Sequence, residues 1–125
     1  MSRIMIVDDE PYIIKSIKTV LERHGYEVTD AQSGAQCLEK LEKESGKFDL
    51  ILMDFFMPEM NGREVIEKIR ENPRLKDTKI AFLTAAGFRD RGMEVLRELN
   101  ISGYIMKPIE IHGFSEKIKK ILSEN

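Results

Sequence analysis

The chain has 125 residues, of which 42% are hydrophobic and 34% charged, and its net charge is −2. That length carries one domain, residues 1–125, with a full hydrophobic core, and the composition excludes a disordered chain. Charges of both signs are interspersed, which excludes the basic footprint of a nucleic-acid binder and a polybasic membrane patch; no apolar run is long enough to span a bilayer.

The sequence Met1-Ser2-Arg3 leads directly into a predicted strand with no leader pattern. A single cysteine, Cys37, leaves no internal disulfide. Both features fit a reducing cytoplasm. Cys37 falls on the apolar face of a predicted helix and reads as a buried structural thiol.

Ile4-Met5-Ile6-Val7 is a short apolar run rich in β-branched residues, which predicts a strand buried on both faces. Asp8-Asp9-Glu10-Pro11 ends it, and Pro11 suits the first turn of a helix whose positive end favours acids. Ile13, Ile14, Ile17, Val20 and Leu21 form the stripe of that helix, and Gly25 closes it. Tyr26 to Ala31 alternates, as a strand nearer the sheet edge does. Ser33 is a good N-cap for a helix carrying Ala35, Cys37, Leu38 and Leu41, which Gly46 stops.

Phe48 to Met53 predicts the central strand, leading to Asp54, with Asp49 at its far end and outside any site there. Asn61 with Glu64 resembles a capping box, Val65, Ile66 and Ile69 follow at helical spacing, and Asn72-Pro73 ends the helix. Lys79 to Leu83 predicts a fourth strand ending at Thr84. A fourth helix is expected over about 88–99, weakened by Gly92. Gly103 to Met106 predicts the fifth strand, ending at Lys107-Pro108, and Phe114, Ile118, Ile121 and Leu122 mark the last helix.

Strand and helix thus alternate five times, which implies an α/β fold with a parallel sheet covered on both faces and right-handed crossovers. In such a sheet all strand C-termini share one edge. Asp8, Asp9, Asp54, Thr84 and Lys107 therefore meet there. Ligands bind that edge where the strand order reverses, which in the order 2-1-3-4-5 lies between strands one and three. On its own, Asp54 reads as a turn cap or a partner for a lysine; the other polar residues at the same edge change that reading. Three crowded carboxylates either raise one another's pKa or hold a cation, and hard oxygen donors favour Mg2+, Mn2+ or Ca2+ over zinc. A lysine and a hydroxyl opposite a metal suit a phosphoryl group. An ionised aspartate needs no general base to attack phosphorus.

Val7-Asp8-Asp9, Asp54 with Met57-Pro58 and Gly62, Leu83-Thr84-Ala85, and Lys107-Pro108 together resemble the receiver domains of two-component response regulators, including single-domain chemotaxis regulators. The resemblance covers essentially the whole chain and implies a flavodoxin-like (βα)5 fold with the order 2-1-3-4-5. It implies that Asp54 accepts a phosphoryl group from phosphohistidine on a histidine kinase or histidine phosphotransfer protein. It implies Mg2+ (or Mn2+) bound directly by Asp9, largely through water by Asp8, and with Asp54 and the backbone carbonyl of Phe56 as further metal-site groups. Lys107, the Thr84 hydroxyl and the backbone N–H of Ala85 would contact phosphoryl oxygens, and Tyr104 would be the aromatic switch. The Lys107-Pro108 bond is expected to be cis, and a downstream protein is expected on the face formed by helix four, strand five and helix five.

Phe56 is large where the family often carries a smaller or polar side chain, and its ring is expected to slow attack by water on the phosphorylated state. Taken singly, Thr84 also reads as a loop cap, Tyr104 as an ordinary strand aromatic, and Asp9 as serving the first helix. Glu10 is assigned to that helix, His24 and His112 to the surface, and Lys117, Lys119 and Lys120 to a solvated helix face. The alternatives are a degenerate receiver that only binds proteins and a haloacid-dehalogenase-like phosphatase. The latter places a second acid two residues after its nucleophile, where this chain has Phe56. A flavodoxin-type cofactor carrier is disfavoured, because acids follow strand one in place of a phosphate-cradling loop.

Overall fold

A computed structural model describes residues 2–44, 48–84, 98–107 and 109–124, with the backbone alone at Thr84. Five strands, β1 (Arg3–Val7), β2 (Glu27–Ala31), β3 (Leu50–Asp54), β4 (Ile80–Thr84) and β5 (Gly103–Met106), form one parallel sheet in the order β2-β1-β3-β4-β5. Four described helices accompany them: α1 (Pro11–Arg23), α2 (Gly34–Lys43), α3 (Gly62–Glu71) and α4 (Phe114–Ser123). Of the helix expected over about 88–99, only Glu98 and Leu99 are described, and they are helical. The expectations for Ala85, the stop at Gly46 and the isomer of the Lys107-Pro108 bond lie outside the described residues.

Local chemistry accounts for the boundaries. The Ser33 hydroxyl accepts from the Gln36 N–H, and Asn61 and Glu64 form a reciprocal capping box, so α2 and α3 begin where two orphan N–H groups find acceptors. Gly25 follows the end of α1 with φ +88°, a conformation glycine adopts without a Cβ penalty. The central strand starts at Leu50, two residues later than the apolar run suggested, and includes Asp54.

Alternation along the strands sorts two cores. Met5, Val7, Ile51, Met53, Ile80 and Phe82 face α2 and α3. Ile4, Ile6, Leu50, Leu52, Ala81, Leu83 and Ile105 face α1 and α4. Both faces of the sheet are thus buried, which is why its central strands read as unbroken apolar runs. Among the described residues, no helix is long and apolar enough to cross a membrane.

A candidate phosphoryl and metal site at the sheet's C-terminal edge

The stripe facing α1 and α4 runs through Ile4 and Ile6 on β1 and through Leu50 and Leu52 on β3. Two residues further along each strand the period brings Asp8 and Asp54 onto the same side. Register places them level, since Val7 pairs with Met53. They are the buried charged residues among those described, Asp8 at 0% and Asp54 at 3% exposure. β5 contributes Lys107 by the same rule, two residues beyond the buried Ile105. The sheet order reverses between β1 and β3, so both buried acids stand at the crevice where open α/β sheets bind ligands.

Lys107 Nζ lies 2.7 Å from Asp8 Oδ2, 3.6 Å from Asp54 Oδ1 and 3.7 Å from Glu10 Oε1. Its nearest partner is therefore Asp8. That contact is an ion pair at hydrogen-bonding distance but without hydrogen-bond angles, so Asp8 Oδ2 remains buried with no hydrogen bond. Asp8 Oδ1 accepts from the Glu10 N–H at 2.9 Å, and Asp54 Oδ1 accepts from the Phe56 N–H at 3.3 Å. Burial, then the charge of Asp8, push the Asp54 carboxyl up to about 7, against the opposing pull of Lys107 and the Phe56 N–H. Burial pushes Lys107 down, but the carboxylates of Asp8, Asp54 and Glu10 outweigh it and raise its pKa.

Asp9 is exposed, beside the buried Asp8. One carboxylate oxygen from each of Asp8, Asp9 and Glu10 can lie within 4.8 Å of the others. Glu10 stands at the N-cap of α1, with the helix to which the sequence assigns it, and its carbonyl accepts from the Ile13 and Ile14 N–H groups. Its side chain makes no cap bond and reaches toward Lys107 and Tyr12, a second contact that the sequence does not show.

Gly62 lets α3 press against the loop that follows β3. A Cβ there would meet the Asp54 carbonyl oxygen at 2.7 Å and Phe55 Cα at 2.9 Å, both rigid backbone atoms. Its N–H donates to the Phe55 carbonyl at 2.9 Å. Phe56 is 57% exposed, and its ring meets Phe55 edge-on at 4.9 Å. Tyr104 is half-buried on the opposite sheet face, level with Phe82. Thr84 ends β4, level with Met106. Asp49 is at the other end of the sheet, accepting from the Arg3 N–H, as expected. Cys37 is fully buried, His24 and His112 are exposed, and so are Lys117, Lys119 and Lys120.

Comparison with known proteins agrees with this arrangement. Residues 4–119 match the family model of the response regulator receiver domain. Chemotaxis protein CheY1 of Helicobacter pylori is 32% identical over 124 residues, 98% of each chain. The polar-differentiation response regulator DivK of Brucella ovis is 33% identical over 97% of this chain and 96% of its own. The crystal structure of the response regulator TrrA of Thermotoga maritima, in complex with Mg2+-BeF, superposes with a TM-score of 0.78 at 36% identity, covering 97% of this chain and 99% of that one. Chemotaxis protein CheY4 of Vibrio cholerae superposes with a TM-score of 0.88 at 26% identity over 97% and 98%. With its sheet order, its buried acid pair and these matches, the chain belongs to the response regulator receiver domains, in the two-component and chemotaxis signalling family.

Proposed function

We propose that this chain is the phosphoacceptor receiver of a two-component phosphorelay, a signalling switch and not an enzyme for external substrates. Asp54 accepts the phosphoryl group, and the domain itself catalyses its arrival and later its hydrolysis. The observation that carries this reading is the pair of buried carboxylates, Asp8 and Asp54, facing Lys107 at the strand-order reversal.

The residues present fit a hard divalent cation, Mg2+ or Mn2+. Asp8 offers a buried carboxylate oxygen without a hydrogen bond, and the acidic side chains clustered there among the described residues, Asp8, Asp9 and Glu10, offer hard oxygen ligands. Asp8, Asp9, Asp54 and the backbone carbonyl of Phe56 would hold it. When bound, such a cation supplies the positive charge that keeps the carboxylates ionised and offsets charge on the phosphoryl oxygens. The magnesium in the TrrA complex supports this assignment.

In the transfer, an Asp54 carboxylate oxygen forms a bond to phosphorus as the phosphorus–nitrogen bond of phosphohistidine breaks. The departing imidazole nitrogen keeps the electron pair and takes up a proton. Lys107 neutralises one phosphoryl oxygen, and the Thr84 hydroxyl with the Ala85 N–H takes another. Phosphorylation then shifts a two-state equilibrium through Thr84 and Tyr104. The donor is a histidine kinase or a histidine phosphotransfer protein in the cytoplasm, and the output is a protein bound at the face of the fourth predicted helix, β5 and α4.

Intact-protein mass after incubation with acetyl phosphate, with and without Mg2+, tests this. A magnesium-dependent gain of one phosphoryl group is expected, and Asp54→Asn should abolish it. Followed over time, the same assay should show faster loss of the group from Phe56→Asn. No gain with acetyl phosphate or a cognate kinase, together with no Mg2+ binding, would favour a receiver that only binds proteins.

A further inference from the structure

Arg70, in the last turn of α3, makes an unusual set of contacts. Its Nε donates to the Leu99 carbonyl at 3.0 Å and its Nη2 to the Asn100 carbonyl at 3.0 Å. Its Nη1 donates to the carbonyls of Lys76 and Thr78 at 2.7 and 2.8 Å. Four of the five guanidinium N–H directions are thus used on backbone oxygen. Every acceptor belongs to a segment entering a strand. Thr78 lies two residues before β4, and Asn100 lies three before β5.

β4 ends at Thr84, and β5 ends at Met106, immediately before Lys107. β5 is the sheet's edge, four residues long and paired only with β4. Just upstream of β5, the Ser102 N–H donates to the Ile80 carbonyl at 2.8 Å. Asn100 adopts φ +55°, so the chain turns sharply where Arg70 grips it. Of its four residues Ile105 alone is buried, with Tyr104 partly so, and burial ties the register of β5 to few side chains. A slip of one residue would carry Lys107 about 3.3 Å along the strand and turn its side chain to the other face. Arg63, one helical face along on α3, adds an exposed ion pair to Glu98 at 2.5 Å, which contributes little by itself.

We propose that Arg70 is a positioning residue for the phosphoryl site: its guanidinium pins the entries of β4 and β5 together and so sets where Lys107 stands. The inference rests on the phosphoacceptor reading above. Only a planar fork meets four carbonyls from two segments at once, so lysine is a poor replacement.

The test compares R70Q and R70K with the parent chain, each also combined with K107A, well below their melting temperatures. The rate of Asp54 phosphorylation by acetyl phosphate is read by intact mass. R70Q should slow the reaction about tenfold when Lys107 is present and have almost no further effect with K107A, since misplacing a group matters only while the group is there. R70K should lie between R70Q and the parent. An unchanged rate, or the same fold loss with and without Lys107, would overturn the proposal. Amide hydrogen exchange gives an independent reading: R70Q should speed exchange selectively at Gly103–Met106, whereas a uniform rise across β1 and β3 would mean general destabilisation and sink the idea. Should R70Q fail to fold, R70K carries both readings. If the parent chain takes no phosphoryl group, the functional reading fails, while the exchange pattern still decides whether the pin exists.

Discussion

The two ends of the sheet are built on opposite principles. At the N-terminal edge, cations are met by partners. Arg3 pairs with Glu44 at 3.0 Å, approaches Glu27 at 3.7 Å and lies over the Phe48 ring. Lys79 donates to the carbonyls of Ile121, Leu122 and Glu124, which α4 leaves open at its C-terminal end. At the C-terminal edge the balance is reversed. Among the described residues, Asp8, Asp54 and Glu10 face one lysine, and one buried carboxylate oxygen has no hydrogen bond. One end is satisfied and holds the fold closed; the other keeps unspent negative charge, which destabilises the empty domain and favours a cationic or phosphoryl guest.

Removing one lysine from each end would separate the two most sharply. Lys107→Met leaves two buried carboxylates without their cation and should destabilise the metal-free protein by about 3 kcal/mol in urea unfolding near neutral pH. That loss should shrink as falling pH protonates the acids. Lys79→Met leaves only neutral carbonyls near the surface and should cost about 1 kcal/mol with no such pH dependence. Equal losses with equal pH profiles would erase the distinction.

Asp54→Asn should act in the other direction. Folding raises the Asp54 pKa from 3.8 to about 7. Across that window the folded state holds a proton that the unfolded chain releases, so wild-type stability falls as pH rises. The asparagine variant lacks this slope. It should be more stable by about 2 kcal/mol at the upper end of the window in metal-free buffer, converging with wild type as pH approaches the lower end.

The smallest effect concerns the loop that follows β3. Glu59 holds φ +68°, the left-handed region, after Pro58. Glu59→Gly should relieve that strain and raise stability by about 0.5 kcal/mol, the relief being partly offset by greater freedom in the unfolded chain. A loss on melting would show that the glutamate side chain contributes more than its backbone conformation takes away.

Much of this was legible in the residues themselves. Alternation and chirality pointed to a parallel sheet with right-handed crossovers, the strand order came with the family resemblance, and Asp8, Asp54 and Lys107 stood out because each interrupts or follows an apolar run at a strand end. The caps at Ser33 and Asn61 were legible because side chain and spacing alone define them. The reach of Glu10 toward Lys107 was not legible, because its rotamer and not its position carries it there. Arg70 was invisible because its partners are backbone carbonyls, and every residue has one. Sequence reveals side chains that conflict with their surroundings far better than those that resolve a conflict in the backbone.

The lone thiol has a practical consequence. Cys37 is fully enclosed, in the core between the sheet and α2 and α3, and burial pushes its pKa up to about 12. In the native state it is both shielded and held as the unreactive thiol. An alkylating reagent therefore reaches it only when this half of the domain opens, and the labelling rate becomes a clock for that opening. The chain carries its own probe of whether a ligand added at the sheet's C-terminal edge changes that opening, with no reporter group added.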